Sequence, residues 1–274
     1  MRRFRLAVPS LTIALLFLVL LSDGCSDSAN GSNADYTGHL RMKLIDAAAS
    51  YHSVVLTFMR LEIHKKGSAA DLDWRVVTQQ ISRYDVLLLH NGVNAILVDT
   101  DVPVGTYDQV RIIFGPCEVN VNGATQQVAI PAAIANGFML NYEFVVEQGK
   151  LFQLTFDVDP GRSIKSPTPG EYDLTPVFRV QATSLSGSIA GSVLGPDGMA
   201  ALATISTTVG GDSISTENDT TGNNGSFMLA DIPEATYAIR VTPADPAYRD
   251  TSILDVPVVR QTTKSIGAIR LRVR

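Results

Sequence analysis

Apolar residues in this chain return at every second position, and that spacing governs what it can fold into. Leu40, Met42 and Leu44 alternate with Arg41 and Lys43. Met59, Leu61 and Ile63 alternate with Arg60, Glu62 and His64, after an apolar stretch at 54–58. A strand sends successive side chains to opposite faces, so this pattern predicts sheets with one buried face. Val119 and Val121 lead into Asn122-Gly123, and Val128 and Ile130 return. Asn-Gly between alternating runs predicts a hairpin, because its turn needs positive φ at both central residues. Further strands are predicted over 140–146, 151–158 and 172–180. The helix signal is confined to a short run at 130–136. The expected class is all-β.

The texture of the chain changes at 184–187. Beyond it strands shorten, and Gly, Thr and Ser become frequent. Two β-sandwich-type domains in tandem are expected, over 37–183 and 186–274. About 240 residues remain once the N-terminal segments are set aside, enough for two cores. With 45% hydrophobic and 18% charged residues, the composition is that of globular domains. The net charge of −5 argues against nucleic acid as a partner, since phosphate contacts need a basic surface.

The N-terminus carries Arg2, Arg3 and Arg5, then an apolar run at 6–21, then Gly24-Cys25. A basic region, an apolar region and a small residue at the cut describe a signal peptide, here 1–24. The run is shorter than the about 20 residues a spanning helix requires. The junction Leu21-Ser22-Asp23-Gly24-Cys25 resembles a bacterial lipoprotein lipobox. That resemblance implies acylation of Cys25, a membrane anchor and a cell-envelope location. Ser26 beside the Cys favours the outer membrane. Residues 25–36, all Ser, Asp, Asn, Gly and Ala between Cys25 and Tyr36, have little to bury and are read as a flexible tether. With Cys25 acylated, Cys117 has no intramolecular partner among the two cysteines, so no disulfide framework is expected. Cys117 is read as a buried, inert thiol.

The C-terminal segment contains Gly187-Ser-Ile-Ala-Gly-Ser-Val193, the turn Gly195-Pro-Asp-Gly198, Thr221-Gly-Asn-Asn-Gly-Ser-Phe227, then Ile232-Pro233 and Thr236-Tyr237. This resembles the carboxypeptidase regulatory-like domain, a small transthyretin-like sandwich with a carbohydrate-binding-like fold. Thr221-Gly222 stands where that family has Thr-Asp, and the Gly before Thr236 is absent. In the N-terminal segment, Tyr84-Asp-Val-Leu-Leu-Leu-His-Asn-Gly92, Pro103-Val-Gly-Thr-Tyr107, Phe156-Asp-Val-Asp159 and Leu174-Thr-Pro-Val177 follow in order. Together they resemble domain-of-unknown-function family 4382, found in bacterial envelope lipoproteins. That resemblance implies location and architecture and supplies no catalytic residue.

Few residues are candidates for chemistry. Asp157 and Asp159 lie two apart on a predicted strand. They are candidates for a divalent cation or a carboxylate pair, and equally for capping the turn at Pro160-Gly161. Trp74, Tyr84 and Tyr107 are candidate stacking residues for a sugar, and equally core anchors. The four His form no His-x-x-x-His pair, and no nucleophile elbow or phosphate loop occurs. No enzyme activity and no cofactor are expected. The expected role is a lipid-anchored envelope protein acting in adhesion, scaffolding or surface assembly, with envelope proteins or glycans as partners. The alternative is a carbohydrate-binding envelope lipoprotein.

Overall fold

Leu40, Met42 and Leu44 are fully buried, while Arg41 and Lys43 leave the strand on its other face. Along this strand the alternation read in the sequence is that of a sheet packed on one side. Along Ser53–Lys65 the expectation is corrected, since Glu62 and His64 are buried and Met59 is exposed next to a register shift between Phe58 and Arg60. The computed structural model describes residues 36–46, 50–69 and 72–274. Cys25, the preceding signal segment and residues 26–35 lie outside the described residues. Asp35–Arg274 form one compact unit with two hydrophobic clusters.

The first cluster lies between two sheets. One has the order Phe178–Ala182, Leu151–Val158, Thr37–Asp46, Ala95–Pro103. The other is built on the long strand Ser53–Lys65, with Gly105–Phe114 and Phe138–Val146 to one side and Cys117–Val121 and Ala124–Ala129 to the other. The second cluster lies between a three-stranded and a four-stranded sheet. The first of these has the order Ser226–Pro233, Ser186–Leu194, Thr263–Arg270. The second has the order Asp212–Glu217, Ala203–Val209, Ala235–Pro243, Thr251–Val258.

The two sandwiches share one topology. In each, the opening strand is antiparallel to the strand that precedes a proline corner and parallel to a later strand. In each, the strand after the corner sits in the opposite sheet between the second strand and an edge strand. The corners read Val102-Pro103-Val104-Gly105-Thr106-Tyr107 and Ile232-Pro233-Glu234-Ala235-Thr236-Tyr237.

The correspondence extends to single atoms. A Cβ on Gly38 would lie 2.2 Å from the Glu147 carbonyl oxygen, and one on Gly187 would lie 2.3 Å from that of Val259. The amide of Gly149 donates to Thr37 O at 3.0 Å, and that of Gln261 to Ser186 O at 2.7 Å. His39 N and Ser188 N each donate at 2.9 Å, to Lys150 O and Thr262 O. The opening strand of each sandwich thus passes against the loop after the edge strand at van der Waals limits. Only glycine fits there.

Asn122 and Gly123 take φ of 51° and 84°, as the hairpin requires. The expected strand over 172–180 is corrected. It divides into Tyr172–Leu174 and Phe178–Ala182, which join different sheets. Pro176 lies in the break and has no N–H to give a ladder. The helix signal at 130–136 yields one turn, Ala132–Ala135. Cys117 is buried, and burial raises its thiol pKa.

Candidate functional site at the junction of the sandwiches

The strands of the first sandwich send Lys43, Thr155, Asp157 and Arg179 away from their own core. Solvent does not receive them. Thr155 and Asp157 are 1% and 6% exposed, because the second sandwich covers this face. Desolvated polar groups of this kind need partners. The strand Ser226–Pro233 supplies one at a bulge, where Ala230 and Asp231 together stand opposite Ser188. Asp231 takes φ of 51°, a left-handed conformation that Asp tolerates better than most residues. The bulge aims its carboxylate at the first sandwich.

Asp231 Oδ2 lies 3.2 Å from Lys43 Nζ and accepts from the Thr155 hydroxyl at 2.9 Å. Its Oδ1 accepts from Ser186 at 3.2 Å, and its backbone carbonyl from Arg179 Nη1 at 2.8 Å. Arg179 also donates from Nη2 and Nε to Asp157 Oδ2, at 2.8 and 3.2 Å. Burial raises the Asp157 carboxyl pKa. Arg179 opposes that rise, and Asp159 and Asp231 add to it.

Two further contacts flank this centre. Asn91, with φ of 56°, donates its amide to Thr216 Oγ1 at 3.0 Å and its side chain to Ser226 O at 3.3 Å. Arg162 Nη1 meets Asp212 Oδ1 at 2.7 Å. Three separated contacts resist rotation as well as separation.

The residues singled out in the sequence are distributed differently. Asp157 lies in the junction, engaged by Arg179. The strand ends at Val158, so Asp159 does not share a strand face with it; its side chain accepts from Arg162 N and caps the turn Pro160–Ser163. Both line one small cleft, with Arg162, Arg179 and Asp212. Among the described residues no group of three or more His, Cys, Asp or Glu is placed to hold a metal ion.

The three aromatics are not brought together. Trp74 pairs with His64 and Tyr84 with Leu56, at opposite ends of Ser53–Lys65. The indole lies under the Arg111 guanidinium, 4.0 Å from ring centre to its carbon. Tyr84 packs on Phe58 and donates to the Ile96 carbonyl at 3.2 Å. Tyr107 is in the core, stacked on Phe144 with centroids 5.3 Å apart, so its ring is closed to a ligand.

Sequence reasoning missed Asp231, Lys43, Thr155, Ser186 and Arg179 as one group. The available signal was Asp231 standing immediately before Ile232-Pro233, as Asp101 stands before Val102-Pro103.

Among curated proteins no match was found. Among solved structures, the chain is similar to the minor pilin GBS52 of Streptococcus agalactiae. Identity is 10%, coverage 85% of this chain and 96% of that one, and the TM-score 0.24. It is similar to a putative adhesin from Bacteroides ovatus at 12% identity, 86% and 90% coverage and a TM-score of 0.23. A C-terminal fragment of the pilus adhesin SpaC from Lactobacillus rhamnosus GG gives 8% identity, 86% and 98% coverage and a TM-score of 0.21. The family model for the domain of unknown function DUF4382 matches residues 37–176, which span the first sandwich through the strand Tyr172–Leu174. The chain belongs to the DUF4382 family.

Proposed function

We propose that this protein is a non-enzymatic, lipid-anchored component of the bacterial cell envelope that acts in adhesion, scaffolding or surface assembly. The observation that carries this reading is the Asp231 junction. Three side chains of the first sandwich, Lys43, Thr155 and Arg179, converge on one residue of the second, which Ser186 at the start of the second sandwich also holds. Such a junction makes two sandwiches a stiff arm, which is useful for holding a surface away from a membrane. The signal segment and Gly24-Cys25 supply the anchor in this reading, and residues 26–36 the tether. The second sandwich is read as a carboxypeptidase regulatory-like domain. A sugar-binding platform would need aromatic faces presented together, and Trp74, Tyr84 and Tyr107 are apart.

The test is attachment of a deletion strain complemented with wild type or with Cys25→Ala. Wild type should restore attachment to a surface or to sister cells, while Cys25→Ala, released from the membrane fraction, should not. Full restoration by the released variant would overturn the reading.

A further inference from the structure

We propose that copies of this chain associate head to tail, with the Asp99–Asp101 corner of one copy docking on Arg270 and Arg272 of the next. The proposal rests on the surface-assembly reading and names the partner.

The two sandwiches share one topology, but only one of their equivalent faces is covered. Within the chain, the corner residue Asp231 plugs a face of the first sandwich beside Asp157. Asp157 pairs with Ile45 across the parallel strands. Counted from Gly38 and Gly187, the counterpart of Ile45 is Leu194, and Leu194 pairs with Arg270. Arg270 therefore occupies in the second sandwich the place Asp157 holds in the first. In the first sandwich that place is covered; in the second, Arg270 and Arg272 are exposed. The counterpart of the plug is Asp101, which precedes Val102-Pro103 as Asp231 precedes Ile232-Pro233. The Asp101 side chain is 67% exposed, and that of Asp99 beside it 43%. The chain thus carries one plug seated in its socket, and a second plug and a second such face left open. There Ser192 and Ala268, two residues before Leu194 and Arg270, stand in place of the Lys43 and Thr155 that hold Asp231.

The charges of the unused pair are complementary. Arg270 and Arg272 line a groove of about 560 Å³ with Arg249 and with Asp250, whose carboxylate is taken by Arg240 at 2.6 Å. Among the described residues, no side-chain hydrogen bond or ion pair of Arg249, Arg270 or Arg272 is found. This concentration of unpaired guanidinium groups stands in a chain of net charge −5. On the corner, His39 bridges Asp99 and Asp101 at 2.6 and 2.7 Å, and Arg41 holds Asp99 at 3.0 Å. These contacts fix the two carboxylates and leave Asp101 Oδ2 to accept from a guanidinium. A plug and a socket on different sandwiches make a heterologous contact, which builds a ring where its rotation closes and an open chain where it does not. Its ion pairs are exposed and screened, so it is weak and salt-sensitive.

The experiment is sedimentation velocity on the compact body, residues 35–274, over a range of protein concentrations. In about 50 mM NaCl the weight-average sedimentation coefficient should rise with concentration, and in about 500 mM NaCl the rise should vanish. Asp101→Arg alone and Arg270→Glu/Arg272→Glu alone should each stay monomeric and cooperatively folded, the first losing only its exposed contact with His39. An equimolar mixture of the two variants should associate again, because the mixed contacts restore opposite charges. A wild-type protein that is monomeric at every concentration in low salt overturns the proposal. So does association that survives Arg270→Glu/Arg272→Glu. A monomeric protein whose strain still attaches through the anchored chain removes the head-to-tail contact and leaves the surface reading standing.

Discussion

Tyr107 and Tyr237 each donate their hydroxyl to the carbonyl of the proline four residues earlier, Pro103 and Pro233, at 2.8 Å in both cases. Both rings are buried, and burial raises both phenol pKa values. Each bond pins the strand after a corner to the strand before it. Removing the hydroxyl leaves a carbonyl without that donor. Tyr107→Phe and Tyr237→Phe should each cost about 1 kcal/mol, with denaturant slopes unchanged. Urea unfolding of the two variants checks this, and a cost at one corner only would show that the corners are not equivalent.

Asp231 is the larger liability. Asp231→Ala leaves Lys43 without its acceptor on a covered face, and leaves Thr155 and Ser186 with Thr183 as their remaining partner. The expected loss is about 2–3 kcal/mol. Asp231→Asn keeps an acceptor for the hydroxyls and loses the charge, so it should cost less. Calorimetry reads both. Equal losses in the two variants would place the value of this residue in the Lys43 ion pair alone.

Gly38 and Gly187 offer a backbone test of the shared topology. Alanine at either position drives a Cβ into a carbonyl oxygen, and the carbonyl belongs to main chain that has little room to move. Each should destabilise by about 2–4 kcal/mol. Gly210→Ala is the control. Its φ of 59° carries the strain of positive φ, but nothing lies within 4 Å of the added atom, so about 1 kcal/mol is expected.

His64 supplies a pH dependence. Its hydrogen bond to Asp108, 2.8 Å from Nδ1, raises its pKa above the ordinary value; burial opposes this, and the Ala69 carbonyl adds to it. A raised histidine stabilises the fold fully below its unfolded pKa, and that contribution is lost as pH rises through the folded value. Asp108→Asn should therefore lower the melting temperature at about pH 5.5 by roughly 2–4 °C, and by less at about pH 9. A gap that widens with pH would show that the folded imidazole is neutral.

How much of this was legible in the sequence depended on how local each feature is. Period-two alternation fixed which faces of the strands 37–46 and 226–233 are inward, because a pleat has only two faces. Asn122-Gly123 announced its hairpin, since few other pairs take positive φ at both positions. Asp157 stood out as a carboxylate, but its partner Arg179 is brought alongside only when the two strands pair. Tyr107 read as a candidate ligand residue because exposure is not a property of a residue type; its inward position follows from the register of Gly105–Phe114.

The sequence by itself determined the strand character, the principal turns and, through two short corner motifs, the material for a repeat. Only the tertiary structure decided that the motifs are equivalent, because equivalence lies in strand order and in hydrogen bonds between segments about 110 residues apart in the first sandwich and about 75 in the second. It also decided that Asp231 is buried while its counterpart Asp101 is exposed. Both are aspartates before an apolar-proline step. The bulge and the neighbouring sandwich desolvate one and leave water on the other, and no local pattern encodes which neighbour arrives.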